Sequence, residues 1–177
     1  ISGDGILVIN VTDGGGVSSI PQVHVHIVND SLSPRVDIEQ DTDDTGYLIL
    51  PGAKESQQGY EITVSKEGYE TVTTVDPTTV DYLPKDPNAS VSKGVLNTAA
   101  IAIDKLANLK IKTVDYLGNS LPSVNFHIKG GRELGTDSSI IPPETIYNLN
   151  SDATTDANGE KEFKNHSPGR QFFLTDI

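Results

Sequence analysis

A chain of 177 residues, 35% hydrophobic and with a formal net charge of -12, is long enough for one or two domains that each bury a core. That acidity excludes a nucleic-acid surface, which needs clustered Lys and Arg to displace counterions from phosphate. With no cysteine, disulfides, thiolate nucleophiles and cysteine-ligated metals are excluded too, and 16 Gly with 10 Pro favour short strands and turns over helices.

In chain order, Ile6 to Val11 is apolar enough for a buried strand, and Val23, Val25 and Ile27 alternate with Gln22, His24 and His26 in the period of a half-buried one. Both are expected in one sandwich core. Val36 to Glu39, a turn at Asp43-Asp44-Thr45-Gly46, and Tyr47 to Leu50 read as a hairpin, with Pro51-Gly52 opening the next connection. Tyr60 to Val64 and Lys66 to Val72 read as two more strands around a Gly turn. Asp76 to Asn88 carries Pro77, Pro84 and Pro87 and is expected to be a long loop wrapping an edge. Thr98 to Ile103 is a further strand closing the first sandwich, and no segment of the first hundred residues has a helical period.

The chain then says the same thing again. Leu7-Val8-Ile9-Asn10-Val11-Thr12-Asp13 and Ile20-Pro21-Gln22-Val23-His24-Val25-His26-Ile27 recur as Leu109-Lys110-Ile111-Lys112-Thr113-Val114-Asp115 and Leu121-Pro122-Ser123-Val124-Asn125-Phe126-His127-Ile128. Each copy continues to an Asp/Gly turn, Asp43 to Gly46 and Asp156 to Gly159, and to a Pro-Gly step, Pro51-Gly52 and Pro168-Gly169. The expected architecture is all-β: two tandem sandwiches, residues 1-105 and a shorter 106-177, joined by a linker of a few residues. The last strand of the second copy, Gln171 to Leu174, matches Tyr60 to Val64, so the strands that follow in the first copy have no counterpart. The parent chain continuing, a shorter form of the module, or strand addition by another chain would each account for that. A start at Ile1-Ser2-Gly3-Asp4 without Met is expected of a processed or trimmed product, and neither a secretory leader nor a membrane-spanning apolar run is present.

Gly46-Tyr47-Leu48-Ile49-Leu50-Pro51-Gly52 followed by Tyr60-Glu61-Ile62-Thr63-Val64-Ser65-Lys66-Glu67-Gly68-Tyr69 resembles the carboxypeptidase regulatory-like domain, a transthyretin-like sandwich of about seven strands. The second copy resembles it more loosely, its Pro168-Gly169 step leading to Phe172 and Phe173 without the K-x-G-Y turn. The long Pro/Asn loop, the Ile101 to Leu106 transition and the second sandwich are together similar to ectodomains of prepilin-type bacterial surface proteins. That resemblance implies an extracellular, filament-associated protein whose partners are other surface or filament proteins.

Chemistry-bearing residues are sparse. The related collagen-adhesin B-type repeat often carries a Lys to Asn isopeptide bond, which needs a desolvated Lys on the first strand. Copy one has Val8, Ile9 and Asn10 there, and Lys110 and Lys112 of copy two alternate as solvent-facing residues do. His24 and His26 share one strand face, but a metal needs a third ligand and His127 belongs to the other copy. Asp41, Asp43 and Asp44, and Asp152, Asp156, Asn158 and Glu160, are oxygen-rich turns that match no twelve-residue calcium loop. Gly14-Gly15-Gly16 lacks the helix a phosphate cradle requires. Asn10, Asn29, Asn88 and Asn165 sit in N-x-Ser/Thr sequons, which chance explains.

The expectation is therefore a chain with no catalytic, cofactor or metal site: a non-catalytic structural or adhesive module of a bacterial surface or pilus-like protein. The alternative is an accessory, carbohydrate-binding domain pair of a secreted hydrolase. Sugar recognition favours exposed aromatic platforms, for which Tyr82, Tyr116 and Tyr147 are the candidates in a chain without Trp.

Overall fold

The computed structural model describes residues 4-167 and 172-175, and among these every regular element is a β-strand. The chain divides into two compact units, Ile1–Asp104 with Gly135–Glu144, and Lys105–Leu134 with Thr145–Ile177. Residues Gly135–Glu144 thus group with the first unit, although they follow the start of the second repeat.

The first unit is a sandwich. One sheet sets β1 (Gly5–Asp13) between β4 (Tyr47–Ala53), antiparallel, and β9 (Leu96–Ile103), parallel. The other runs β3 (Val36–Asp41), β2 (His24–Asn29), β5 (Ser56–Ser65), β6 (Val72–Thr73), with β8 (Ala89–Val91) also on β5. Period-2 alternation sends Leu7, Ile9 and Val11 from one sheet, and Val25, Ile27, Ile62 and Val64 from the other, into a single dry core. Tyr60 is buried with them, its hydroxyl donating to the Lys54 carbonyl at 2.8 Å. Ile101 and Ile103 of β9 complete that core.

Four details depart from the sequence reading. Ile6 to Val11 buries only alternate residues, because β1 lies in an outer sheet whose other face meets solvent: Ile6 is 38% exposed where Leu7 and Ile9 are fully buried. Val36–Asp41 and Tyr47–Ala53 are not a hairpin. β3 pairs with β2 and β4 with β1, so the Asp43 to Gly46 turn carries the chain from one sheet to the other. Pro51 and Gly52 do not open a connection either but lie inside β4, where a register shift opposite Gly5 and Ile6 accommodates them. The Asp76 to Asn88 loop contains β7 (Leu83–Pro84), a two-residue strand pairing with Thr136 and Gly135.

In the second unit β10 (Ala107–Lys112) pairs with β13 (Glu160–His166), and β11 (Asn125–Asp137) lies between β12 (Glu144–Thr154) and β14 (Phe172–Thr175). The wiring of the first unit, β4-β1 and β3-β2-β5, recurs as β13-β10 and β12-β11-β14. Register agrees as well: Ile27 opposes Ile62 as Ile128 opposes Leu174. Pro168, Gly169 and Gln171 lie outside the described residues. The core of this unit is small, with Phe126, Ile128 and Leu149 buried and Leu109, Ile111, Phe163 and Phe172 half-buried around them. Leu109 and Ile111 occupy the places of Leu7 and Ile9, and they are less covered because, among the described residues, β10 has a neighbour on one side only while β1 has β9 on the other.

Candidate interaction surfaces

The oxygen-rich turns are hydrogen-bonded nodes whose backbone bonds recur in both copies. In the first, the Thr42 N–H donates to the Val23 carbonyl at 2.9 Å, and the Val23 N–H donates to Thr42 Oγ1 at 2.9 Å. In the second, Thr155 and Val124 exchange the same pair of bonds, each at 3.0 Å. Gln22 and Ser123, at φ 51° and 58°, aim their N–H groups at the carbonyls of Asp43 and Asp156. Val11 and Thr113 donate to the carbonyls of Gly46 and Gly159 at 3.0 and 2.8 Å. Asp43 Oδ1 accepts from the Tyr47 N–H at 3.0 Å and from the Thr45 N–H and hydroxyl at 2.8 and 2.7 Å, which holds its pKa below the ordinary 3.8. Asp156 Oδ1 accepts from Glu160 and Asn158 N–H groups at 2.9 and 2.8 Å, with the same consequence. One oxygen of each carboxylate is thus saturated by its own turn. Among the described residues no group of three or more His, Asp or Glu side chains is placed to hold a metal ion.

Three of the four histidines face carboxylates on neighbouring strands. His24 Nδ1 lies 3.1 Å from Asp41 Oδ1, and His26 Nε2 lies 2.8 Å from Asp37 Oδ1. The His26 contact, followed by the Arg35 charge, lowers the Asp37 pKa, and Arg35 also pairs with Asp30. His127, the repeat partner of His26, has Asp152 Oδ1 at 2.8 Å from Nδ1 and Asn150 Oδ1 at 2.7 Å from Nε2. Each imidazole is thus committed to its own cross-strand partner, and no two converge on a shared centre.

The outer faces of the two copies differ sharply. On the β4-β1-β9 sheet the outward rows are Leu96, Ile6, Pro51; then Thr98, Val8, Ile49; then Ala100, Asn10, Tyr47. None of these nine positions carries a charge. Leu96 and Ile49 are 62% and 58% exposed. The opposite sheet of the same unit presents Asp37, Glu39, Asp41 and Glu61 around its two histidines. On β10-β13 the positions of Val8, Asn10, Tyr47 and Ile49 are held by Lys110, Lys112, Glu160 and Glu162. Lys110 Nζ lies 2.6 Å from Glu160, whose hydrogen bond raises the lysine pKa, and Lys164 lies 3.6 Å from Glu162. Periodicity marks these positions as outward. Reading the two copies against each other at matched positions would also have exposed the swap from apolar to charged.

The remaining candidates fall into ordinary structural places. Gly14-Gly15-Gly16 is a strand connection in which Asp13 Oδ1 accepts from the Val17 and Ser18 N–H groups at 3.0 and 3.3 Å, lowering the Asp13 pKa. Asn29 is fully buried, its Oδ1 accepting from the Ser31 N–H and hydroxyl, and Asn88 is 8% exposed and accepts from Thr74 Oγ1 at 2.8 Å. Tyr147 lies within β12, half-buried, its ring centroid 6.2 Å from that of Phe173. Tyr116 is 94% exposed in the turn after β10, and Tyr82 is half-buried. No helix among the described residues is long and apolar enough to cross a membrane.

No protein-family model and no curated protein matches the chain. Among solved structures it is similar to the Bacillus anthracis TIE protein, at 18% identity and TM-score 0.37, covering 98% of this chain and 28% of that one. It is similar to a streptococcal ancillary pilin at 13% identity and TM-score 0.38, covering 96% of this chain and 52% of the other. It is also similar to the shaft pilin SpaA from Lactobacillus rhamnosus GG, at 12% identity and TM-score 0.32, covering 98% and 88%. The chain spans 28%, 41% and 52% of the first three structures of this kind.

Proposed function

We propose that the chain is a non-catalytic structural or adhesive module of a bacterial cell-surface or pilus-like protein, built from two carboxypeptidase regulatory-like, transthyretin-like sandwiches and working outside the cell. The observation that carries this reading is the repetition of one wiring and one hydrogen-bonded node in both copies, which is what a spacer made by module duplication requires. Its partners are other surface or filament proteins. Among the described residues β10 has a neighbour on one side only, which supports strand addition as one means of attachment, since an unpaired backbone edge is a template for pairing. The direct test is immunogold labelling of intact source cells with antibody against this chain. Label on the cell exterior or along filaments is expected, and label confined to the cytosol would sink the proposal.

One feature favours the accessory-domain reading: Tyr116 is almost fully exposed next to Leu117, itself 69% exposed, as a sugar-stacking platform would be. Binding on a glycan array that disappears in Tyr116→Ala would move the assignment to a polysaccharide-directed module.

A further inference from the structure

We infer that the edge of β10 left without a neighbour among the described residues receives an extended segment of another protein, running parallel to β10, with apolar residues turned inward and acidic residues turned outward. This rests on the strand-addition part of the reading above and deepens it by giving the incoming strand a direction, a register and a chemistry. The first copy supplies the template. There β1 has β9 on the side away from β4, parallel to it, from Ile6 opposite Leu96 to Asp13 opposite Ile103. Because Leu7 to Asp13 recurs as Leu109 to Asp115, the places of Ala99 and Ile101 fall opposite Ile111 and Thr113. Backbone bonding assigns the side. The Val11 N–H donates to Gly46 on the β4 side, and the Ile6 N–H donates to Val95, just ahead of β9. Thr113 repeats the Val11 bond, donating to Gly159 at 2.8 Å on the β13 side. Alternation along the strand then directs the N–H and C=O groups of Lys110 and Lys112 at the other edge, as it directs those of Val8 and Asn10 at β9.

Burial decides what faces inward. Leu7 and Ile9 are fully buried beside β9, whereas Leu109 and Ile111 are half-buried. An incoming strand with apolar residues at alternate positions covers that remaining surface, as Ile101, 1% exposed, does in the first copy. Charge decides what faces outward. Thr98 and Ala100 of β9 lie beside Val8 and Asn10, but the equivalent positions on β10 are Lys110 and Lys112, both exposed. Lys110 pairs with Glu160 of β13, and among the described residues no carboxylate pairs with Lys112. Lysine on an edge strand deters indiscriminate pairing, and a carboxylate placed beside it turns that barrier into an attraction. The net charge of -12 opposes an acidic segment only at long range, because salt at physiological strength screens exposed charges beyond about 8 Å.

Amide hydrogen exchange of the whole chain, followed by NMR with and without a synthetic peptide, tests it. The probes are the eight residues Leu96–Ile103, the same peptide carrying Thr98→Glu and Ala100→Glu, and that acidic peptide carrying Ile101→Ser as well. In the chain alone the Lys110 and Lys112 amides should exchange freely while those of Ile111 and Thr113 are protected. The acidic peptide, titrated to about 1 mM, should protect Lys110 and Lys112 and bind roughly two- to tenfold tighter than the unsubstituted one. Ile101→Ser should weaken it at least about tenfold. A spin label on its N-terminus should broaden Ala107 and Asn108 and spare Thr113 to Asp115. Lys112→Gln, at an exposed position, should narrow the preference for the acidic peptide and keep the thermal midpoint. Protection of Lys110 and Lys112 before any peptide is added overturns the attachment edge together with this inference. An exposed edge that the acidic peptide leaves unprotected, pairs with antiparallel, or binds no better than the unsubstituted peptide overturns this inference alone. Cell-surface labelling is indifferent to each of these results, so failure here and failure of the surface reading stay distinguishable.

Discussion

Replacing Thr42 by Val keeps the shape of the side chain and removes its hydroxyl, which makes it a clean probe of the node. Thr42 is 3% exposed and Val23 fully buried, so the Val23 N–H, now donating to Thr42 Oγ1 at 2.9 Å, would be left without an acceptor and out of reach of water. An orphaned buried amide costs about 1–3 kcal/mol, far more than the roughly 1 kcal/mol net worth of an average hydrogen bond. For a unit of this size about 1 kcal/mol moves the midpoint by roughly 4–8 °C, so Thr42→Val should melt about 5–20 °C lower. Thr42→Ser keeps the hydroxyl and should recover most of that loss. Thr155→Val removes the equivalent acceptor from the Val124 N–H, but Val124 is only half-buried, so water can compensate and the cost should be smaller. Urea unfolding followed by far-UV circular dichroism gives the totals, and hydrogen exchange at the Val23 amide reports the site itself. If Thr42→Val is neutral, or Thr42→Ser is as damaging as Thr42→Val, the node is not what holds the sandwich corner together.

Acid should weaken the protein through its turns. The Asp13, Asp43, Asp115 and Asp156 carboxyls are all held below 3.8 by hydrogen bonds. Depressed folded-state values mean that their stabilisation is complete above about pH 4 and is lost as pH falls through those values. Thermal midpoints between pH 6 and pH 2 should drop most below pH 4, and less steeply in Asp43→Asn; an unchanged profile in that variant would rule the mechanism out. Gly46→Ala should be severe, since φ is +80° and a Cβ would sit 2.8 Å from Ser19 Cβ and 3.0 Å from the Ile20 backbone. Gly52→Ala, at φ +71° with open space around it, should cost only about 1 kcal/mol, and equal melting of the two variants would refute the crowding argument. Ile9→Ala should cost about 3–5 kcal/mol in the full core, and Ile111→Ala clearly less because that side chain is already half-exposed. Equal losses by calorimetry would contradict the difference in burial.

Alternation along Val23 to Ile27, the Asp/Gly turns and the recurrence of Leu7 to Asp13 at Leu109 to Asp115 are local patterns, and they were enough to determine an all-β chain and the strand faces that form its cores. Pairing was beyond their reach. A period of two says which side of a strand is buried but not which strand lies beside it. Val36–Asp41 and Tyr47–Ala53 therefore looked like partners across a turn, although bonds from Val11 and Gln22, far off in the chain, hold that turn at the corner between two sheets. The parallel match of β9 to β1, which joins residues about ninety positions apart, was likewise settled only in three dimensions. The same holds for the surface. Val8 and Ile49 become one apolar face, and Lys110 and Glu162 one charged face, only once the strands that carry them are set side by side.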